Sequence, residues 1–217
     1  MTPRDELILT WITRHGVVTH EQIGERFFVR DKTKIASTAT YGRMRKLDEL
    51  RLIDRHPPLW YLGPRLISVT KTGAELADVG LGPAVVALNT TTMRHSLAVV
   101  DLSEDLLREY PGSAIKTERE MRRDDRLRRR EGATRRNRDT RFPDALLTLS
   151  DGRHIAIELD LSHKTADRHR EKVQSFLRYP DLHVWWYCGT KAVLREIRHA
   201  VETERADDRI EVRRWRH

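Results

Sequence analysis

Residues 142–164 read FPDALLTLSDGRHIAIELDLSHK. Two short apolar runs flank a Ser-Asp-Gly turn, which is the signature of a β-hairpin. The ends away from the turn carry Asp144, Glu158 and Asp160. Side chains alternate along a strand, so Glu158 and Asp160 share one face while Ile157 and Leu159 take the other. The turn decides where Asp144 falls. A two-residue loop, Asp151-Gly152, would pair Asp144 with Leu159 and aim it the wrong way. A three-residue loop, Ser150-Asp151-Gly152, with the glycine left-handed, would set Asp144 directly opposite Glu158. The sequence permits this second turn. Three acids gathered there repel one another unless a cation neutralises them, and hard oxygen ligands suit Mg²⁺ or Mn²⁺. The alternative is that the acids pair with arginines, from a neighbouring loop or from Arg168 and Arg170. Spacing alone leaves both readings open.

The flanking segments extend the hairpin into a larger sheet. From Thr92 onward, Leu97, Val100, Leu106 and Leu107 recur at helical spacing, and SAIKTERE reads as a first strand. Residues 121–141, MRRDDRLRRREGATRRNRDTR, hold almost no apolar side chain and read as an exposed arginine-rich loop. After the hairpin, Thr165–Tyr179 predicts a helix with Ala166, Val173, Phe176 and Leu177 inward. HVWWYCG is too apolar for a surface strand and reads as a central one. KAVLREIRHAVETE then reads as a last helix and RIEVRRW as a candidate closing strand. The order is helix, three strands, helix, strand. A crossover helix makes the third and fourth strands parallel, with a right-handed connection.

Charge narrows the class of partner. The chain carries 41 Lys and Arg against 33 Asp and Glu, a net +8 over 217 residues. Such a balance favours a polyanion, usually nucleic acid; the expected partner is double-stranded DNA. The length allows one large domain or two small ones. A single cysteine, Cys188, excludes an internal disulfide framework and fits a reducing compartment; set in an apolar run, it reads as a buried structural thiol. No charged-then-apolar leader opens the sequence, and no apolar run nears the roughly 20 residues a membrane span requires. A cytoplasmic location without membrane contact is expected.

The first ninety residues have a different rhythm. PRDELILTWITRHG places Leu7, Ile8, Trp11 and Ile12 on one helical face, with Gly16 able to end the helix. Thr19 caps HEQIGERFF, where Ile23, Phe27 and Phe28 form an inward stripe. A third helix follows, with Ala36, Thr40, Met44, Leu47 and Leu50 on one side and Lys34, Ser37, Thr38, Tyr41, Arg45 and Lys46 on the other. LIDRHPPLWYLGPRLISVT then reads as a two-stranded hairpin, and KTGAELADVG as a short closing helix. Three helices followed by a wing is the winged variant of helix-turn-helix, whose third helix enters the DNA major groove. Small hydroxyls, a tyrosine and basic tips suit that contact. The weakly patterned stretch at 80–91 marks the expected boundary.

On these motifs the chain resembles two known groups. PDALL followed by IELD on a hairpin, after a helix and a strand, is similar to the PD-(D/E)XK nuclease superfamily. There the Asp and Glu bind Mg²⁺, and a lysine two residues past the Glu helps activate water. Over nearly its full length the chain looks closer still to the replication-relaxation family of plasmids and integrative elements, which joins a winged helix to a degenerate nuclease-like domain. The matching stretches are VVTHEQIGERFF, RMRKLDELRLIDR, MRHSLAVVDL, the acid in TERE, RFPDALLTL, IELDLSHKT and KVQSFLRY. The resemblance implies a two-domain α+β and α/β chain: a winged helix-turn-helix over 1–88 and an αβββαβ nuclease-like domain over 89–217. It implies Asp144 and Glu158 as metal ligands, with Glu118 or Glu120 as a third acid. Position 160 is Asp where a working nuclease usually has lysine; Lys164 or Lys172 could supply the ammonium group from another direction.

Three functions follow as expectations. The first is a DNA-binding accessory protein of a mobile element, acting at a replication or transfer origin, with Arg128, Arg129, Arg130, Arg135 and Arg136 holding backbone phosphate. A relaxase or replication protein is its expected protein partner, and a homodimer on paired half-sites is compatible with the fold. The second is an active endonuclease or nickase using Asp144, Glu158, Asp160, Lys164 and Lys172 with Mg²⁺ or Mn²⁺. The third is a transcription regulator that uses only the winged helix. A histidine-cluster relaxase is not expected, since the ten histidines show no paired metal-ligand spacing near a tyrosine nucleophile, and His163 and His169 read as solvated helix positions.

Overall fold

The structure is a computed structural model that describes residues 1–28, 38–58, 63–84, 89–130 and 142–215. Among these residues the fold is mixed α+β, with eight helices and two sheets. It divides into two compact units, Met1–Glu104 and Asp105–His217.

The first unit opens with α1 (Pro3–His15), whose start is fixed by Asp5 accepting from the Thr2 N–H at 2.6 Å and the Thr2 hydroxyl at 2.9 Å. Gly16, at φ +89°, ends it in a conformation that favours glycine. β1 (Val18–Thr19) leads into α2 (His20–Phe27), where Thr19 and Gln22 exchange side-chain and backbone hydrogen bonds of 3.0 and 3.2 Å. α3 (Thr38–Glu49), β2 (Ile53–His56), β3 (Leu66–Val69) and α4 (Lys71–Ala77) follow. The core gathers Ile8, Leu9, Trp11, Ile12, Ile23, Met44, Leu47 and Ile67. Gly73 is required by close packing, because a Cβ there would lie 2.0 Å from the Leu52 carbonyl oxygen.

Three local expectations need correction here. Leu7 is 61% exposed and Leu9 is buried in its place, because the apolar stripe of α1 is rotated by about one residue. Leu50 is half exposed, since α3 ends at Glu49. The hairpin gains a third strand: β1 pairs with β3 through Val18↔Ile67, in the order β1-β3-β2. Two residues are too few to show strand alternation in a sequence. Ala36, Lys34 and Ser37 lie outside the described residues.

α5 (Thr90–Glu109) serves both units. Met93 and Leu97 pack with Val17 and Leu66, and Gln22 donates to the Leu97 carbonyl at 2.9 Å. The division therefore falls inside this helix rather than in the 80–91 stretch. Its far end serves the second unit, where Tyr110 lies against Trp185 at 5.1 Å between ring centroids.

The second unit is a five-stranded sheet in the order β4-β5-β6-β7-β8. β4 (Ala114–Thr117), β5 (Ala145–Thr148) and β6 (His154–Asp160) are antiparallel neighbours; β7 (His183–Cys188) and β8 (Ile210–Arg214) run parallel to β6. α7 (Ala166–Leu177) connects β6 to β7, and α8 (Lys191–Thr203) connects β7 to β8. Both helices pack on one face, where Ala156, Val173, Phe176, Val184, Trp186 and Ile197 form the core. β7 is central, as its unbroken apolar run requires.

The described part of the expected arginine loop, residues 121–130, is helix. α6 (Glu118–Arg130) follows β4 directly, cutting the first strand short at Thr117. Low apolar content misleads here, because arginine is a good helix former. Ion pairs at i,i+4, Glu118–Arg122 at 2.5 Å and Asp125–Arg129 at 2.6 Å, support the helix from its surface. Arg135 and Arg136 lie outside the described residues. In α7, Ala166 is exposed and begins the helix rather than facing inward.

Candidate functional site

The hairpin closes through the three-residue loop. Gly152 stands at φ +86°, its N–H donates to the Leu149 carbonyl at 2.9 Å, and Leu149 donates to the Arg153 carbonyl at 2.9 Å. The ladder then pairs Ala145 with Ile157, so Asp144, one residue before β5, stands across from Glu158. The Asp144 carboxylate accepts the Leu159 backbone N–H at 2.8 Å, which anchors it at the end of the strand pair.

Glu158 and Asp160 point to the face covered by α7 and α8. Their partners on β7 are Trp186 and Cys188, both in that core, and each acid is only 2% exposed. Thr165 caps α7 by accepting from the Arg168 N–H. The helix then presents His169, Lys172, Val173 and Phe176 to the sheet at i,i+3 and i,i+4 spacing. Lys172 donates to one oxygen of Glu158, and Lys164, from the loop before α7, donates to Asp160. Trp186 donates its indole N–H to the second oxygen of Asp160 at 3.2 Å, and the Lys172 ammonium sits 5.3 Å from the Trp186 ring centre.

The cluster thus sets three carboxylates against two ammonium groups. Burial pushes the Glu158 carboxyl well above its ordinary range, the Asp144 charge adds to this, and Lys172 opposes it. Burial pulls the Lys172 ammonium down, yet Glu158, Asp160 and Asp144 outweigh it and leave its pKa raised. Burial lowers the His169 pKa despite Asp160, whose oxygen lies 4.0 Å from its Nε2. Glu158 Oε2 is buried without a hydrogen-bond partner. An orphaned acceptor beside surplus negative charge can take a proton or a cation.

Asp144 and Glu158 suit a Mg²⁺ or Mn²⁺ ion, which needs only one or two protein carboxylates when water and phosphate complete its shell. Among the described residues, no group of three or more His, Cys, Asp or Glu side chains could hold a metal ion. Glu118 and Glu120 have other work at the start of α6: Glu118 pairs with Arg122, and Glu120 accepts from the Thr117 N–H at 2.8 Å.

Of the two readings left open for the acids, Glu158 and Asp160 meet lysines, while Arg170 pairs with Glu204 at 3.0 Å; the loop arginines at 131–141 lie outside the described residues. His169 is buried rather than solvated, while His163 lies in the loop before α7 and contacts Glu196 at 2.7 Å. From the sequence, His169 is expected in solvent and Trp186 has no role at the site. The signal for His169 is its three-residue spacing from Lys172; that for Trp186 is its register with Glu158.

The first unit offers a contrasting surface. α3 buries Thr40, Met44 and Leu47 and exposes Thr38, Tyr41, Arg45 and Lys46. Tyr41 stacks on the buried His20 ring at 4.7 Å, and Arg45 lies 3.7 Å from Glu49. Beneath this surface Arg43 of α3 holds the buried Asp5 of α1. On α6, Arg129 is committed to Asp125, while Arg128 and Arg130 are exposed.

Fold and site together define a mixed α+β protein whose second sheet carries a buried acid–lysine cluster at the end of paired strands. The sequence profile of the replication-relaxation family matches residues 9–194, most of the chain, and the chain belongs to that family. Membership points to a role in replication or mobile-element processes. No curated protein and no solved structure matches the chain. No helix among the described residues is long and apolar enough to cross a membrane.

Proposed function

We propose that this protein is a DNA-binding accessory factor of plasmid or mobile-element replication or conjugative transfer. In this reading the first unit is a winged helix: α3 enters the major groove of an origin-type site, and the β2–β3 hairpin acts as the wing. The observation that carries the reading is the outward face of α3, where Thr38, Tyr41, Arg45 and Lys46 are exposed over a buried apolar face. A net charge of +8 supports it. The partners are double-stranded DNA and a relaxase or replication protein, with a homodimer on paired half-sites. Duplex affinity measured across a salt series tests it. Affinity falls steeply with salt, and Arg45→Ala with Lys46→Ala reduces the log–log slope by about 1 to 2, one for each phosphate no longer neutralised. Weak binding at low salt with no salt dependence would overturn it.

A second reading, a metal-dependent endonuclease of PD-(D/E)XK type, is favoured by the convergence of Asp144, Glu158 and Lys172. Asp144 and Glu158 are the carboxylates that hold Mg²⁺ or Mn²⁺, which when bound lowers the pKa of a water and offsets charge building on phosphate. Lys172, reaching in from α7, supplies the ammonium that position 160 lacks. Lys164 is tied to Asp160 and holds that acid in place. Incubation of supercoiled plasmid with the protein and Mn²⁺ tests this reading. Cleavage lost in Asp144→Ala supports it, and absent cleavage or cleavage that survives the substitution removes it.

A further inference from the structure

A cavity of about 250 Å³ opens on the same face of the second sheet as the carboxylate cluster. Its floor is Lys116 and Leu146, cross-strand partners on β4 and β5. Leu146 lies two residues beyond Asp144 on the same face, about 6.6 Å along the strand. One wall is Phe176, a single helical turn beyond Lys172 on α7, about 6 Å along that axis. The cavity therefore adjoins the cluster by two independent routes, strand and helix. Tyr179 and Phe142 add aromatic surface, and Met121 closes the side toward α6. At its polar end the Lys116 ammonium and the Asp124 carboxylate lie 2.5 Å apart, a donor and an acceptor side by side. Arg123 and Lys116 hold the Asp124 pKa below the ordinary carboxylate range against the effect of burial.

We infer that this cavity receives one unpaired nucleobase of a DNA strand whose backbone runs along the arginines of α6. The inference rests on the DNA-binding reading above and names the form of DNA that the second unit takes. Flat aromatic walls with a paired donor and acceptor match a base that stacks and offers its pairing edge. α6, beside the opening, carries seven arginines against four carboxylates, a surplus suited to the flanking backbone. A base still paired in a duplex cannot enter a cavity of this size, so occupancy selects extruded or single-stranded positions.

The test compares three DNAs on the full chain at one salt concentration: a fully paired duplex, the same duplex with one unpaired adenine, and that duplex with an abasic site replacing the adenine. The unpaired adenine is expected to tighten binding about 10-fold, within the range of one base stacked on aromatic side chains. The abasic duplex, equally bendable, returns to the fully paired value. Tyr179→Ala brings the adenine-to-abasic ratio toward one. Equal affinity for all three DNAs, with binding that still weakens on adding salt, overturns the cavity assignment and leaves the DNA-binding reading standing. A preference kept by the abasic duplex overturns it too, as that preference reads flexibility rather than a base. Failure to bind any of the three removes both inferences.

Discussion

Two buried acids, one in each unit, meet opposite treatment. Asp5, fully buried, accepts from the Thr2 N–H and hydroxyl and is held by the Arg43 guanidinium. Burial works against ionisation there, but Arg43 and Thr2 prevail and the Asp5 pKa is lowered. Glu158, 2% exposed, has a single ammonium partner, two like-charged neighbours and one oxygen with no partner, and its pKa is raised. The first acid is satisfied and ties α1 to α3. The second is under-neutralised. The contrast separates a carboxylate whose charge is fully met from one left short of partners.

Substitutions can break or sharpen this contrast, and the largest effect belongs to Lys172. Lys172→Met strands Glu158 among Asp144 and Asp160, and urea unfolding at pH 8 should show a loss of about 3–5 kcal/mol. The loss shrinks at pH 5 if protonation of Glu158 relieves the stranded charge. A loss that is equal at both pH values would mean that Glu158 is not the group Lys172 neutralises.

Asp5→Asn comes next, at about 2–3 kcal/mol, below the usual cost of a broken buried pair because Arg43 is one-quarter exposed and can rehydrate. The folded pKa of Asp5 is depressed, so its contribution is present above the unfolded value of about 3.9 and is lost as pH falls through the folded value. Acid titration of wild type against this variant should converge at low pH. Divergence there would refute the ion pair.

Lys164→Met should cost only about 1 kcal/mol in thermal or urea melts, because Lys164 is 35% exposed and Asp160 keeps its Trp186 partner. A cost matching that of Lys172→Met would erase the distinction between the two lysines.

Glu158→Gln is the smallest change, within about 1 kcal/mol of wild type at pH 8, since it removes repulsion along with an ion pair. An acid with a raised folded pKa burdens the fold above that pKa, and the burden lifts as pH falls toward the unfolded value of about 4.3. Wild type should therefore gain on this variant during acidification. A cost as large as that of Asp5→Asn would show the two acids to be alike.

Much of the site was legible before the structure. The alternation in HIAIELD puts Glu158 and Asp160 on one face, and the Ser150-Asp151-Gly152 loop offered the register that sets Asp144 across from Glu158. Lys164 and Lys172 were candidates for the ammonium, and both reach the acids. The counter-ions were not decidable in sequence, because Arg168, Arg170 and Lys172 lie on one short helix and only its phase against β6 selects the lysine. α6 was missed for a related reason. Its stability comes from ion pairs along the helix and from burial of Met121 and Asp125, neither of which appears in a count of apolar residues. The exchange of Leu9 for Leu7 is a phase error of the same kind.

Local chemistry, carried within a few neighbouring residues, was enough for the sequence to determine the capped helices, the hairpin, the central place of HVWWYC and the surplus of positive charge. Which charges meet, which oxygen of Glu158 is left over, and which aromatic rings wall the cavity were decided only by tertiary structure. These depend on distances between segments far apart in the chain, and Coulomb and desolvation energies are set by those distances and by burial rather than by residue order.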